Sequence, residues 1–168
     1  MSWNEFEINL AYPDNNFTSL DPNSNNFHRA AKVSSSTINS SWSQFMKDYA
    51  VWHEPGNYAP LDSQTYHSTT YTINITKAGD YALEYAMDDT GNITFDGTTV
   101  ARTIYTSGGF LGEPDADPPD SVTIQNVTVG SHTLVANIKN ASSYPGQTTS
   151  TWSQSPAGIA WRLKPFGT

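Results

Sequence analysis

The chain has 168 residues and a mass of 18.4 kDa, which is the size of one domain with its own hydrophobic core. Its 16 acidic and 8 basic residues give a formal net charge of -8, which disfavours nucleic acid and anionic membranes as partners. The chain contains 0 Cys, which excludes disulfides and thiolate metal sites. Only 36% of the residues are hydrophobic, but aromatic residues make up 12% and can supply a core.

Residues 1–40 are rich in Asn and Ser, and their aromatic residues are isolated and follow no sustained period. This pattern indicates an irregular polar N-terminal arm with room for one short edge strand. The sequence therefore predicts two parts, an arm of residues 1–40 and a folded domain of residues 41–168.

One short amphipathic helix is predicted at the start of the domain, over residues 41–50. Ser41-x-x-Gln44 matches a capping box, and apolar residues follow at i, i+3, i+4 and i+7 from Trp42. Pro55 then ends the helical pattern.

From Thr69 onward the hydrophobic pattern alternates with a period of two, which is typical of half-buried β-strands. Asp96-Gly97 and Gly130-Ser131 are two-residue hairpin signals. The predicted fold is therefore all-β, an antiparallel β-sandwich or jelly roll with the one short helix. The predicted strands are 70–76, 80–87, 92–95, 99–104, 121–129, 132–139 and 158–163.

Two adjacent carboxylates, Asp88 and Asp89, end the second of these strands, and a turn with Gly91 follows at once. They bring four hard oxygens to the rim of a sheet. Such oxygens suit Ca²⁺, which takes 6 to 8 oxygen ligands at about 2.3 to 2.6 Å. Neighbouring side chains of an extended strand point to opposite faces, so both carboxylates reach one ion only if the backbone bends. The alternative interpretation is a solvated turn that the two carboxylates merely polarise.

An ordered set of motifs between about residues 65 and 165 resembles the PA14-like β-sandwich family. These motifs are Gly79-Asp-Tyr-x-Leu, Asp88-Asp89-x-Gly91, Asp96-Gly97, Val129-Gly130-x-His132-x-Leu134 and Gly158-Ile-Ala-Trp161-Arg-Leu163. In the adhesin branch of this family the Asp-Asp pair and an Asn from a second loop hold Ca²⁺, which coordinates sugar hydroxyls. The resemblance implies this role for Asp88 and Asp89. It implies the second-loop role for Asn140, with the mid-strand Asn137 as the competing candidate.

A sugar site also requires an aromatic platform, because a pyranose has an apolar face as well as hydroxyls. Tyr144 and Trp152 lie in the polar loop of residues 142–155 and are the candidates. The alternative for each is a side chain that folds back onto the core. Three further tryptophans, Trp42, Trp52 and Trp161, lie in periodic or strand segments and are predicted to be core residues.

The acidic loop of residues 112–120 is a second candidate cation site through Asp115 and Asp117. It lacks the Gly and Glu that define an EF-hand loop, which favours a rigid acidic surface loop. No nucleophile, P-loop or paired-His motif appears, and nothing marks Glu84 as half of a glycosidase carboxylate pair. We therefore expect a binding module and not an enzyme.

The pattern W-x-x-F-M-x-x-Y-A-V-W of residues 42–52 is similar to modules in structural proteins of aquatic phages. Because the chain begins at Met without an export signal, the expected location is a virion, with an extracellular adhesin as the alternative. The expected partners are glycans or a host surface, other virion proteins through the arm, and further copies of the chain in a homo-oligomer. The rival function is a structural capsid or tail component that binds no ligand.

Overall fold

The computed structural model describes residues 7–11, 31–32, 42–52, 59–60, 67–88, 90–106, 109–139, 154–155 and 158–166. Within these ranges it contains one helix, α1 (Gln44–Tyr49). The strands are β1 (Glu7–Ala11), β2 (Ala31–Lys32), β3 (Val51–Trp52), β4 (Ala59–Pro60), β5 (His67–Ile75), β6 (Gly79–Asp88), β7 (Thr90–Phe95), β8 (Thr98–Arg102), β9 (Ile104–Thr106), β10 (Gly109–Leu111), β11 (Asp120–Val127), β12 (Gly130–Lys139), β13 (Gln154–Ser155) and β14 (Gly158–Pro165).

Two five-stranded sheets form the body of the fold. The front sheet has the order β1-β5-β12-β7-β8, and the back sheet has the order β11-β6-β14-β3-β2. All pairs are antiparallel except β1 with β5. Two short ladders, β9 with β10 and β4 with β13, complete the described strands. The prediction of an antiparallel β-sandwich with one short helix is confirmed.

The core lies between the sheets and is built from alternate residues of the central strands. Tyr71 and Ile73 of β5 and Leu83 of β6 are fully buried, as the period of two predicts. The ring of Tyr71 meets that of Trp161 edge-on at 5.1 Å, which joins the front sheet to the back sheet. Burial raises the pKa of Tyr71 well above its ordinary value, and the nearby polar groups of Trp161 and Thr69 offset part of that rise. Aromatic side chains thus fill core volume in this protein that aliphatic side chains fill in many other globular domains.

Helix α1 forms where the sequence predicts it, but its N-cap lies two residues after the predicted cap Ser41. The N-cap is Ser43, whose Oγ accepts a hydrogen bond from the backbone N–H of Met46 at 3.2 Å. The capping box at Ser41 was the wrong prediction, because the orphan N–H groups of the first turn belong to residues that follow Ser43. Phe45 and Met46 are buried, and the helix packs against β14 and β6 on the outer side of the back sheet.

The two predicted hairpins have different outcomes. Asp96 and Gly97 have φ angles of 49° and 83°, so the predicted turn between β7 and β8 is confirmed. Gly130-Ser131 does not connect paired strands: β11 pairs with β6 in the back sheet, whereas β12 lies between β5 and β7 in the front sheet. That hairpin prediction was wrong. A glycine signals that the chain turns, but the burial of each strand decides which neighbour it pairs with.

Two short segments of the predicted arm are strands at the sheet edges. Residues Glu7–Ala11 run parallel to β5, and Ala31–Lys32 pair with β3. The other residues of 1–40 lie outside the described residues. No described helix is long and apolar enough to cross a membrane.

Candidate functional site

Of the predicted site residues, the structure describes Asp88. Asp89, Asn140, Tyr144 and Trp152 lie outside the described residues. Asp88 is the last residue of β6 and is only 9% exposed.

The carboxylate of Asp88 holds helix α1 to the back sheet. Its Oδ2 accepts a hydrogen bond of 2.8 Å from the indole Nε1 of Trp42. Trp42 is buried and immediately precedes the N-cap Ser43, as the core prediction for this tryptophan requires. A buried indole N–H without an acceptor is costly, so this hydrogen bond is a structural role for Asp88 that the sequence did not reveal.

The backbone register brings the end of β12 beside the start of β7. Lys139 and Thr90 are Cα partners at the end of the antiparallel ladder between these strands. Asp89 is the residue before Thr90 and Asn140 is the residue after Lys139. Each of the two predicted calcium ligands is therefore the sequence neighbour of one residue of a pair that the sheet holds in register.

The acidic loop of residues 112–120 is tied to the body of the protein by its own hydrogen bonds. Asp120 Oδ2 accepts from the backbone N–H of Gly112 at 2.7 Å, and the Pro114 carbonyl accepts from the N–H of Ser43 at 2.8 Å. Burial, the charge of Asp115 and a hydrogen bond to it raise the pKa of Glu113. No group of three or more His, Asp or Glu side chains that could hold a metal ion occurs among the described residues.

The outward-facing side of the front sheet, here called the front face, carries a chain of polar side chains across three strands. The hydroxyl of Ser68 on β5 donates to Asn137 Oδ1 on β12, and Asn137 Nδ2 donates to Asn92 Oδ1 on β7 at 2.8 Å. Asn137, the competing candidate for a calcium ligand, is thus engaged within the sheet. Asn92 was not among the predicted site residues, although the alternation of β7 places it on the outward side of the sheet.

A cleft of about 350 Å³ opens next to this chain of amides, between β7 and β8. Its lining consists of Thr90, Gly91, Asn92, Thr99, Arg102 and Thr103. Arg102 is exposed and lies in register with Asn92. Among the described residues, no carboxylate lies within ion-pair distance of the Arg102 guanidinium. The cleft therefore combines hydroxyl and amide groups with one positive charge.

The outward-facing side of β6 and β14, here called the back face, has an arginine in a different setting. Arg162 Nε donates to Glu84 Oε2 at 2.6 Å, and Lys164 Nζ lies 3.1 Å from Glu84 Oε1. The guanidinium also stacks on Phe45 and Tyr49 of α1, with its carbon 5.7 Å and 5.3 Å from the two ring centroids. Glu84 is thus held by two cations, an arrangement that its strand position alone did not suggest.

His132 joins the start of β12 to the turn between β7 and β8. Its Nδ1 lies 2.6 Å from Asp96 Oδ2, and its Nε2 lies 2.7 Å from the Thr128 carbonyl oxygen. Burial lowers the pKa of His132, but the hydrogen bonds to Asp96 and Thr128 and the charge of Asp96 outweigh it, so the pKa is raised. Both ring nitrogens face acceptors, which favours the imidazolium form. The histidine of the Gly-x-His motif therefore links the start of β12 to the β7–β8 turn and to the Thr128 carbonyl group at one end of the sandwich.

Comparisons with known proteins show a resemblance at low similarity. No family model and no curated protein matches the chain. It resembles a GH2 β-galacturonidase from Eisenbergiella tayi solved with galacturonate, at a TM-score of 0.42 and 16% identity over 78% of this chain. It also resembles a cycloisomaltooligosaccharide glucanotransferase from Paenibacillus sp. solved with cycloisomaltoheptaose, at a TM-score of 0.40 and 16% identity over 95% of this chain. The chain spans 22% and 20% of the lengths of these two proteins.

Proposed function

We propose that the chain is a non-catalytic β-sandwich module that binds carbohydrate with the help of Ca²⁺. The ion is held where β6 ends, by Asp88 and Asp89 together with Asn140, and sugar hydroxyls complete its coordination. Tyr144 and Trp152 supply the aromatic contact. The module is a surface protein of a phage virion.

The observation that carries the proposal is the register of Thr90 with Lys139. Asp89 precedes Thr90 and Asn140 follows Lys139 in the sequence, so the proposal requires oxygens of these two adjoining residues to reach one Ca²⁺.

The engagement of Asp88 with Trp42 limits how this residue takes part. One carboxylate oxygen of Asp88 accepts the indole hydrogen bond, so a bound ion shares the carboxylate with the helix. Binding of Ca²⁺ would then tighten the attachment of α1 as well as the loop after β6. An ion that binds only the folded state raises its stability by mass action.

The test is a melting-temperature titration with CaCl₂ in buffer that a chelating resin has freed of calcium. The parent chain and Asp89→Asn are compared, because this substitution removes one ligand charge and leaves the Trp42 hydrogen bond to Asp88 in place. Asp48→Asn, an exposed carboxylate of α1, is the matched charge control. Asp115→Asn tests the acidic loop as the alternative site.

The expected result is a melting temperature that rises with Ca²⁺ in the parent, Asp48→Asn and Asp115→Asn, and stays constant in Asp89→Asn. A rise that Asp89→Asn retains would reject the proposed ion site. A rise lost only in Asp115→Asn would move the site to the acidic loop.

Carbohydrate recognition is tested separately, with a multivalent form of the chain on a glycan array with and without added Ca²⁺. Single open sugar sites bind weakly, so many copies are needed for a measurable signal. Signals that require Ca²⁺ and decrease in Tyr144→Ala or Trp152→Ala support the proposal. An array without signals, together with a confirmed ion at Asp89, would favour a structural capsid or tail component.

A further inference from the structure

The hydrogen-bond directions across the front face leave the amide donors of Asn92, and not its amide oxygen, for the cleft between β7 and β8. Asn137 uses its carbonyl oxygen to accept from Ser68 and its amide nitrogen to donate to Asn92 Oδ1. The amide orientation of Asn92 follows, because its oxygen faces Asn137. The group that remains for the cleft is the Asn92 Nδ2, with two N–H donors. No acceptor for this group is found among the described residues.

Arg102 adds the strongest donor in the same place. It lies in register with Asn92 across the β7–β8 ladder, and both residues line the cleft. A guanidinium presents five N–H donors and no acceptor, in a fork that matches the two oxygens of a carboxylate. Among the other polar side chains of the lining, the Thr103 hydroxyl accepts from the backbone N–H of Gly91 at 3.0 Å, and Thr90 and Thr99 carry hydroxyls that can both donate and accept.

The charge of the cleft lining is opposite in sign to the net charge of the whole chain. The formal net charge is -8, yet the one charged residue of the cleft lining is a cation. The other described arginine of an outward face, Arg162, has the carboxylate of Glu84 as its partner. Within the part of the chain that the structure describes, the cleft thus holds the charge and the donors that a bound anion would complement.

We propose that this cleft binds the carboxylate of an acidic saccharide. Arg102 takes the carboxylate oxygens in its fork, and the Asn92 Nδ2 donates a third hydrogen bond. The Thr90 and Thr99 hydroxyls contact the hydroxyls of the sugar ring. The inference rests on the proposed function for the identity of the ligand as a sugar, and it extends that function by naming the class of sugar. It needs neither Asp88 nor the ion.

The test is a titration of the ¹⁵N-labelled chain with three probes, followed by two-dimensional NMR in calcium-free buffer. The probes are D-glucuronate, D-glucose and acetate, which separate the sugar ring from the carboxylate. Glucuronate is expected to shift the amide signals of β7 and β8 and to bind about tenfold more tightly than glucose or acetate. Acetate that binds as tightly as glucuronate would overturn the assignment to a saccharide, and no shifts with glucuronate would overturn the site.

Three variants assign the binding to the two donors. Arg102→Gln is expected to weaken glucuronate binding about tenfold, because a charge-assisted hydrogen bond is lost. Asn92→Asp retains an oxygen for Asn137 Nδ2 but places a carboxylate where the donor was, and it should weaken binding at least about tenfold. Lys77→Gln is the matched control. It removes an exposed cation that lies between β5 and β6 and outside the cleft lining, so it should leave the affinity unchanged.

The melting temperature of each variant confirms that it folds. Equal loss in Lys77→Gln and Arg102→Gln would mean that net charge alone attracts the probe, and it would overturn the inference. The outcomes also separate this inference from the proposed function. Calcium-dependent binding of neutral glycans without glucuronate binding rejects only the cleft. Glucuronate binding at β7 and β8 without any effect of calcium rejects only the ion site.

Discussion

The front face and the back face each carry an arginine on the outside of a sheet, but the two side chains have different surroundings. Arg162 on the back face lies under helix α1, where Glu84 accepts its hydrogen bonds and two aromatic rings stack on it. Burial lowers the pKa of Arg162, but Glu84 and Tyr49 outweigh burial and raise it. Arg102 on the front face is exposed beside a polar cleft, with no carboxylate partner among the described residues.

Residue type on a sheet surface therefore does not by itself indicate a binding site. A helix over the back face makes Arg162, Glu84 and Asp88 part of the packing, so that their hydrogen bonds stabilise the fold. No described helix lies over the front face, where the chain of amides ends in free donors. Substitutions on the two faces should therefore have opposite consequences for stability and for binding.

The largest effect is expected from Arg162→Ala on the back face. The variant loses the hydrogen bonds to Glu84 and the stacking on Phe45 and Tyr49, and Glu84 retains only Lys164. We expect the free energy of unfolding to decrease by about 3 kcal/mol in urea titrations. Arg162→Lys keeps a charge without the planar fork and should recover less than half of this loss. A loss below about 1 kcal/mol would place the pair with ordinary exposed ion pairs.

A somewhat smaller loss is expected from Asp88→Ala, about 2 kcal/mol, because the buried indole N–H of Trp42 then lacks its acceptor. Asp88→Asn keeps an oxygen in the same place and should lose less than half as much. Tryptophan fluorescence during urea titration measures both, and calcium-free buffer separates this structural role from ion binding. Equal losses in the two variants would show that the charge of Asp88, and not its hydrogen bond, is what α1 needs.

An intermediate case is His132, at the end of the sandwich between the two faces. Its raised pKa means that the imidazolium is stabilised in the folded state. The resulting stability is fully present below the ordinary value of 6.5 and is lost as the pH rises through the folded-state pKa. Because Asp96 is 48% exposed, solvent screening should keep the effect below about 1 kcal/mol.

The measurement for His132 is the difference in melting temperature between the parent chain and His132→Gln, taken from pH 5 to pH 9. The difference should decrease as the pH rises, whereas groups that titrate elsewhere cancel between the two proteins. A difference that is constant over this range would show that the ring contributes through its stacking on Phe95 and not through its charge.

The smallest effect on stability is expected from Arg102→Gln on the front face, within about 0.5 kcal/mol of the parent chain. The exposed Arg102 side chain has no carboxylate partner among the described residues, so its removal leaves no described group unsatisfied. The same variant should lose glucuronate binding. Arg102→Gln is thus expected to weaken binding and leave stability nearly unchanged, whereas Arg162→Ala is expected to lower stability. A loss of more than about 1 kcal/mol would indicate that Arg102 holds a part of the chain outside the described residues.

Local patterns in the sequence were enough to predict the class of fold and most of its elements. The period of two after Thr69 predicted the inward-facing residues of β5 and β6, because alternation assigns each side chain to one face of a strand. It did not predict that Ala82 and Ala86 on the opposite face of β6 are buried as well. The Asp96-Gly97 turn was predictable for a similar reason, since its positive φ angles are a property of two adjacent residues. The helix was predictable to within three residues at its start and one at its end, because its apolar spacing is local.

What depended on contacts distant in sequence was decided only by the tertiary structure. Asp88 is 46 residues from Trp42, and Glu84 is 78 residues from Arg162, so neither pairing leaves a mark on its local pattern. The assignment of β11 and β12 to different sheets likewise depends on which strands bury their apolar faces together. The sequence by itself determined which side chains face out of each sheet. Packing of α1 against one sheet decided which of those side chains hold the fold together and which remain available to a ligand.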